Sequence, residues 1–106
     1  MPLVTILPDG GNRVRLDPSD LVIVQGETVV FRNEDPNLAH WITLAGRAQN
    51  FWFKQPLAPF YEGEPAATTP DLLFNDEPPN GDTSITYTYD CIPGGVRGTI
   101  VVNKPT

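Results

Sequence analysis

The sequence predicts an all-β domain, an antiparallel β-sandwich of seven to eight strands with Greek-key connections and one long loop. Two observations support this fold class. Twelve prolines and nine glycines are spread along 106 residues, and because a proline inside a helix costs about 3 kcal/mol, helices should be scarce. Apolar and polar residues alternate with a period of two, which places one face of a strand on a core and the other in water.

The first half of the chain predicts five strands, at residues 4–7, 13–16, 21–24, 28–32 and 40–44. In the second of these, Val14 and Leu16 point to one side while Arg13 and Arg15 point to the other. Sequences rich in Pro, Gly, Asn and Asp favour turns, and they separate these strands. They lie at residues 8–12, 17–20, 25–27 and 33–37.

Three more strands are predicted in the second half, at residues 72–74, 84–90 and 98–103. In the longest, Ile85, Tyr87 and Tyr89 alternate with Ser84, Thr86 and Thr88, and the turn sequence PPNGD precedes it. Short two-faced strands joined by turns are typical of a sandwich.

The long loop is predicted at residues 45–71, within a single domain of residues 1–106. Its first part is aromatic and its second part, EPAATTP, is Pro-rich and linker-like. A compact domain rarely carries so long a connection without a function or some structure of its own. We expect its aromatic side chains to fold back onto the sandwich; they are Phe51, Trp52, Phe53, Phe60 and Tyr61.

Charge and composition exclude several kinds of partner. Seven basic residues against thirteen acidic ones give a net charge of −6 and a pI near 4.4, which disfavours binding to nucleic acid. No apolar run approaches the roughly 18 residues of a membrane span, and no signal peptide is visible. The one cysteine, Cys91, is a free thiol, a metal ligand or half of an intermolecular bridge.

Three stretches, taken in order, resemble the cupredoxins, the small blue-copper β-sandwich proteins that include plastocyanin and azurin. They are VIVQGETVVFRNED (22–35), NLAHWITL (37–44) and TYTYDCIPGGVRGTIVV (86–102). The first is similar to the family's Gly-Glu/Asp-Thr turn and Val-x-Phe-x-Asn strand. The third is similar to its cysteine strand, proline turn and closing Gly-x-Ile-x-Val strand. The resemblance implies a cupredoxin-like sandwich and a copper site.

The resemblance assigns the metal ligands one by one. His40 matches the family's upstream histidine and Cys91 matches its thiolate. Gly94 stands where the family carries its second histidine, and Val96 stands where it carries an axial methionine. The chain has one histidine, and its one methionine is residue 1, so the type 1 copper site is incomplete.

The predicted function is copper binding at low coordination through His40 and Cys91, for copper handling or a modified redox role. A thiolate and an imidazole suit soft Cu(I), which accepts few ligands. A nearby carboxylate of Glu34, Asp35 or Asp90, or a second chain, could add a ligand. The resemblance further implies a non-enzymatic protein, a redox or copper-delivering protein partner, and a periplasmic or extracellular location; the sequence leaves a cytoplasmic one open.

Other interpretations of the same residues stay open. A metal-free cupredoxin-fold interaction module is the alternative function, since related sandwiches without copper ligands serve in recognition. Cys91 could be a buried apolar residue, and His40 could be satisfied by a backbone carbonyl. A thiolate beside an imidazole is also a nucleophile, but nothing in the sequence resembles an orienting third group or an oxyanion loop.

Overall fold

The computed structural model describes residues 2–11, 13–44, 57–93 and 95–105, and these residues form strands without a helix. The strands are β1 (Leu3–Pro8), β2 (Val14–Asp17), β3 (Asp20–Val24), β4 (Glu27–Asn33), β5 (Trp41–Leu44), β6 (Ala67–Thr68), β7 (Leu72–Phe74), β8 (Ser84–Ile92) and β9 (Val96–Asn103). All eight predicted strands are present. Only β6 was missed, because two residues are too few to show an alternating pattern.

The strands form two sheets. The first has the order β2–β1–β4, and both β6 and β7 pair with the free edge of β4. The second has the order β3–β9–β8–β5. The predicted β-sandwich is confirmed, although the sheets are mixed, because β1–β4 and β3–β9 are parallel pairs. Neither pair is consecutive in the chain, so no hairpin constrains its strands to run in opposite directions.

The core lies between the two sheets and takes side chains from both. Phe31 of β4 and Tyr89 of β8 meet edge to face, with ring centroids 5.0 Å apart and an interplanar angle of 76°. Phe74 of β7 and Tyr87 of β8 form a second such contact at 5.3 Å. Edge-to-face aromatic pairs stabilise a core by about 0.5–1.5 kcal/mol beyond the area that they bury. These two pairs join the sheets at the middle of β8.

Part of the predicted long loop packs on the sandwich. Leu57 is buried in the core, and its backbone forms an isolated bridge with His40. Phe60 is half-buried and Tyr61 is exposed, while Phe51, Trp52 and Phe53 lie outside the described residues. Among the residues described, no helix is long and apolar enough to cross a membrane.

Candidate metal centre

The pairing of β5 with β8 places His40 and Cys91 on the same side of the second sheet. Ile42 lies directly opposite Cys91 in the antiparallel register, and both side chains are buried between the sheets. His40 precedes Ile42 by two residues, so its side chain also faces inward, and it is fully buried. The two side chains are therefore diagonal cross-strand neighbours, a relation that puts α-carbons about 7–8 Å apart.

The backbone of His40 is fixed by the segment that follows the undescribed residues. Its N–H donates to the carbonyl of Leu57 at 3.0 Å, and its carbonyl accepts from the N–H of Leu57 at 2.7 Å. These two hydrogen bonds extend the β-structure of β5 by one residue at its N-terminal end, to His40. The predicted position of His40 at the opening of a strand is thus close to the observed one.

The two ring nitrogens of His40 have different surroundings. Nε2 lies 2.7 Å from Oδ2 of Asp35, and both side chains are almost completely buried. Nδ1 is also buried, and it has no hydrogen-bond partner among the residues that the structure describes. Among the described residues the partner of His40 is thus a carboxylate rather than a backbone carbonyl, and Nδ1 has no partner there.

A hydrogen-bond network holds the loop that carries Asp35. Asn33 is fully buried at the end of β4, and its side-chain oxygen accepts from the N–H of Asp35 at 2.9 Å. Its amide group donates to the carbonyls of Leu38, Leu57 and Ala58 at 3.0–3.1 Å. The side chain of one asparagine thereby ties together the two segments that flank His40.

The surroundings of Cys91 suppress its ionisation. The residue is fully buried, and burial raises the pKa of its thiol from the ordinary value of 9.0 to about 12, with the negative charge of Asp35 as a smaller cause. A group that ionises this late is a poor nucleophile at neutral pH, which argues against nucleophilic thiolate chemistry. A bound cation would favour the thiolate by opposing both effects.

The three candidate carboxylates have different positions. Glu34 forms an ion pair with Arg32 at 2.7 Å, and Asp90 forms one with Arg97 at 2.8 Å. Asp90 alternates with Cys91 along β8, so it lies on the outer face of the sheet. Of the three, only Asp35 joins the buried cluster of His40 and Cys91.

The resemblance places Val96 and Gly94 at the positions of the two missing ligands. Val96 lies opposite Cys91 in the β8–β9 pair, and its partly buried side chain packs against the hydrophobic core. Gly94 lies outside the described residues. Within the described ranges, no group of three or more His, Cys, Asp and Glu side chains is arranged to hold a metal ion. The candidate donors among the described residues are one imidazole nitrogen and one thiol sulfur, and soft ions accept both types of ligand.

The chain has a cupredoxin fold, which its similarity to solved structures confirms. The chain is similar to the purple cupredoxin from Nitrosopumilus maritimus, with a TM-score of 0.68 and 20% identity over 97% of this chain and 100% of that one. It is also similar to a Cu(I) amicyanin in which alanine replaces a methionine, with a TM-score of 0.60 and 23% identity over 96% of this chain and 81% of that one.

A third similar structure is the oxidised plastocyanin from Dryopteris crassirhizoma, with a TM-score of 0.58 and 21% identity over 95% of this chain and 99% of that one. No family model matches the sequence, and no curated protein matches it. At these identities the likeness establishes the fold, whereas the chemistry of the site depends on this chain's own residues.

The sequence named His40 and Cys91 as candidate ligands, but it did not predict the contact between Asp35 and His40. The sequence suggested Asp35 only as an oxygen ligand, and Asn33 only as the last residue of the Val-x-Phe-x-Asn strand and the first of a turn. The usable signal was the NEDPN sequence, since Asx side chains commonly accept hydrogen bonds from backbone N–H groups two residues on, as Asp35 does from Asn37 at 2.9 Å.

Proposed function

We propose that this protein binds copper at low coordination through Nδ1 of His40 and Sγ of Cys91, in copper handling or a modified redox role. The observation that supports it is the buried Nδ1, which has no partner among the described residues and lies on the same inward face as the Cys91 thiol. Buried polar atoms are nearly always hydrogen-bonded, so one without a partner calls for an explanation. A bound metal ion supplies one.

The donor set favours Cu(I) over Cu(II). Thiolate and imidazole together satisfy soft Cu(I), which is stable with two ligands, whereas Cu(II) requires more ligands and harder ones. When bound, copper would supply one-electron chemistry, and the protein would hold it away from water between the sheets. The amicyanin neighbour, described as Cu(I) with alanine in place of a methionine, supports the idea that this fold holds Cu(I) without that side chain.

A titration with two oxidation states tests the proposal. The wild type, Cys91→Ala and His40→Ala are titrated with Cu(I) under anaerobic conditions against a chromogenic competitor, and with Cu(II) in air. We expect one Cu(I) per wild-type chain and a loss of at least tenfold in affinity in each variant. Ile92→Ala, an exposed neighbour of Cys91, is the matched control and should bind as the wild type does.

Two results would contradict the proposal. One is the absence of stoichiometric Cu(I) binding by the wild type. The other is Cu(I) binding that survives Cys91→Ala unchanged. A strong visible thiolate-to-copper band with Cu(II) would show instead that further ligands complete the centre.

The second candidate function is a metal-free interaction module. Trp41 and Ile92 are a direct cross-strand pair on the outer face, and both are exposed, at 37% and 44%. Such a pair at the end of a sheet offers an apolar contact to another protein. Under the copper function, the same pair would face a redox or copper-delivering protein partner in a periplasmic or extracellular setting. Failure of the Cu(I) titration leaves the metal-free module as the better hypothesis.

A further inference from the structure

We infer that Asp35 is a positioning residue that makes His40 a copper ligand by holding the imidazole proton on Nε2 and leaving the lone pair of Nδ1 free. The inference rests on the proposed function and deepens it. It concerns a residue that does not touch the metal. The observations are the hydrogen bonds of Asp35 and the contrast between the two nitrogens of His40.

The contact with Asp35 determines which ring nitrogen of His40 carries the proton. A neutral imidazole carries one N–H, on either Nδ1 or Nε2. A carboxylate can only accept hydrogen bonds, and Oδ2 of Asp35 lies 2.7 Å from Nε2. In the neutral imidazole the proton is therefore on Nε2, and Nδ1 presents a lone pair to the interior. Metal-bound histidines commonly have this arrangement, in which the second nitrogen donates to a carboxylate.

Further hydrogen bonds fix the orientation of Asp35. Its other oxygen, Oδ1, accepts from the backbone N–H of Asn37 at 2.9 Å. Its own N–H donates to Oδ1 of Asn33 at 2.9 Å, and its carbonyl accepts from the N–H of Phe60 at 2.9 Å. Three hydrogen bonds, one on the side chain and two on the backbone, thus hold the carboxylate against His40. The histidine ring is oriented by a rigid partner.

Asp35→Asn replaces the carboxylate with an amide and should change the tautomer of His40. Asn at position 35 has one acceptor and one donor group, but both of its present partners are donors. The N–H of Asn37 can only donate, whereas the imidazole can exchange one tautomer for the other. Oδ1 should therefore stay with Asn37, and the amide N–H₂ should face Nε2. The imidazole proton then moves to Nδ1, where it blocks the lone pair that the metal requires.

Magnetic resonance of the metal-free protein tests the tautomer directly. The chain contains one histidine, so the two-bond ¹H–¹⁵N correlations of an imidazole are unambiguous. We expect the Nε2–H form in the wild type and a shift toward Nδ1–H in Asp35→Asn. Glu34→Gln is the matched control, since it removes one negative charge from the adjacent residue, which pairs with Arg32. It should keep the wild-type tautomer.

Anaerobic Cu(I) competition on the same proteins completes the test. Replacing such a partner of a metal-bound histidine costs about 10–100-fold in metal affinity, and we expect that loss in Asp35→Asn but not in Glu34→Gln. A wild-type Nδ1–H tautomer overturns the inference even if Asp35→Asn fails to fold. Equal affinities in the two variants also overturn it. Absence of Cu(I) binding by the wild type defeats the proposed function, while the tautomer measurement still decides where Asp35 holds the proton.

Discussion

Gly98 lies against the hydroxyl end of the Tyr89 ring, its partner across the β8–β9 pair. A β-carbon at position 98 would collide with Cζ and Oη of that ring, and it would lie 2.9 Å from the carbonyl oxygen of Ser19. We expect Gly98→Ala to lower the free energy of unfolding by about 1–3 kcal/mol or more, because overpacking a rigid core forces side chains and backbone to shift. Urea unfolding followed by fluorescence measures the loss.

Gly81→Ala is the control for this change. Gly81 has a φ of +89°, and a β-carbon at this position would have no atom within 4 Å, so alanine there meets only backbone strain. That strain should cost about 1–2 kcal/mol. Restoring room in the double variant Gly98→Ala, Tyr89→Leu should recover part of the loss. If the double variant shows simple addition of the two single losses, the collision is not the cause.

The Cys91 thiol of the metal-free protein should be unreactive at pH 8. Burial, and to a smaller extent the charge of Asp35, raise its pKa from 9.0 to about 12, so the thiol stays protonated. An aromatic disulfide reagent should modify the folded protein far more slowly than the protein in urea. Rapid modification of the folded chain would show that the thiol is accessible and that the burial is incomplete.

The same pKa shift predicts a loss of stability in alkali. The unfolded chain loses the thiol proton near pH 9.0, whereas the folded chain keeps it until about 12. The unfolded state therefore binds fewer protons between these values, and the free energy of unfolding falls as the pH rises through that window. Cys91→Ala should show a shallower decline between pH 9 and 11 than the wild type, measured by urea unfolding of metal-free samples.

Asn33→Leu should be among the most destabilising polar substitutions. The amide group of Asn33 donates to three backbone carbonyls, and an unsatisfied buried acceptor costs about 1–3 kcal/mol. We expect a loss of about 1–3 kcal/mol by calorimetry or urea unfolding, since the Leu57 carbonyl keeps the N–H of His40 as a partner. The exposed Asn80, changed to Ala, should stay within about 0.5 kcal/mol of the wild type. Equal effects at the two positions would show that the network is not needed for stability.

Asp90→Asn should leave both stability and copper binding nearly unchanged. Asp90 pairs with the exposed Arg97 on the outer face, and such surface ion pairs contribute about 0–1 kcal/mol. Cu(I) competition on Asp90→Asn should give the wild-type affinity, in contrast to Asp35→Asn. A large loss of affinity at Asp90 would show that it serves as a metal ligand.

The fold was largely predictable from the sequence because the strands are two-faced. Val14 and Leu16 alternate with arginines, and Tyr87 and Tyr89 alternate with threonines, and these side chains are buried as the alternation requires. The parallel pairing of β1 with β4 was not predictable, because it depends on contacts between strands that are distant in the chain. Local patterns fix which face of a strand is buried but not which strand lies beside it.

The sequence could predict only those features of the candidate site that follow from the type of residue. His40 and Cys91 stand out because each is the one residue of its type in the chain. The roles of Asp35 and Asn33 depend on which hydrogen-bond partner each atom finds after folding, and turn sequences are rich in Asx residues for many reasons. Asp90 shows the converse, since it adjoins the cysteine in sequence yet faces away from it.

The parallel pairing of β3 with β9 determines when folding can finish. Asp20 lies beside Thr99, and Val24 lies beside Asn103, so strands near the two ends of the chain share one ladder. β9 also lies between β3 and β8, so in this sheet the two strands are joined only through it. During synthesis the second sheet must wait for this last strand, and domains dominated by such long-range pairings fold in about milliseconds to seconds. A nascent chain that pauses before Val96 therefore exposes two strand edges at once.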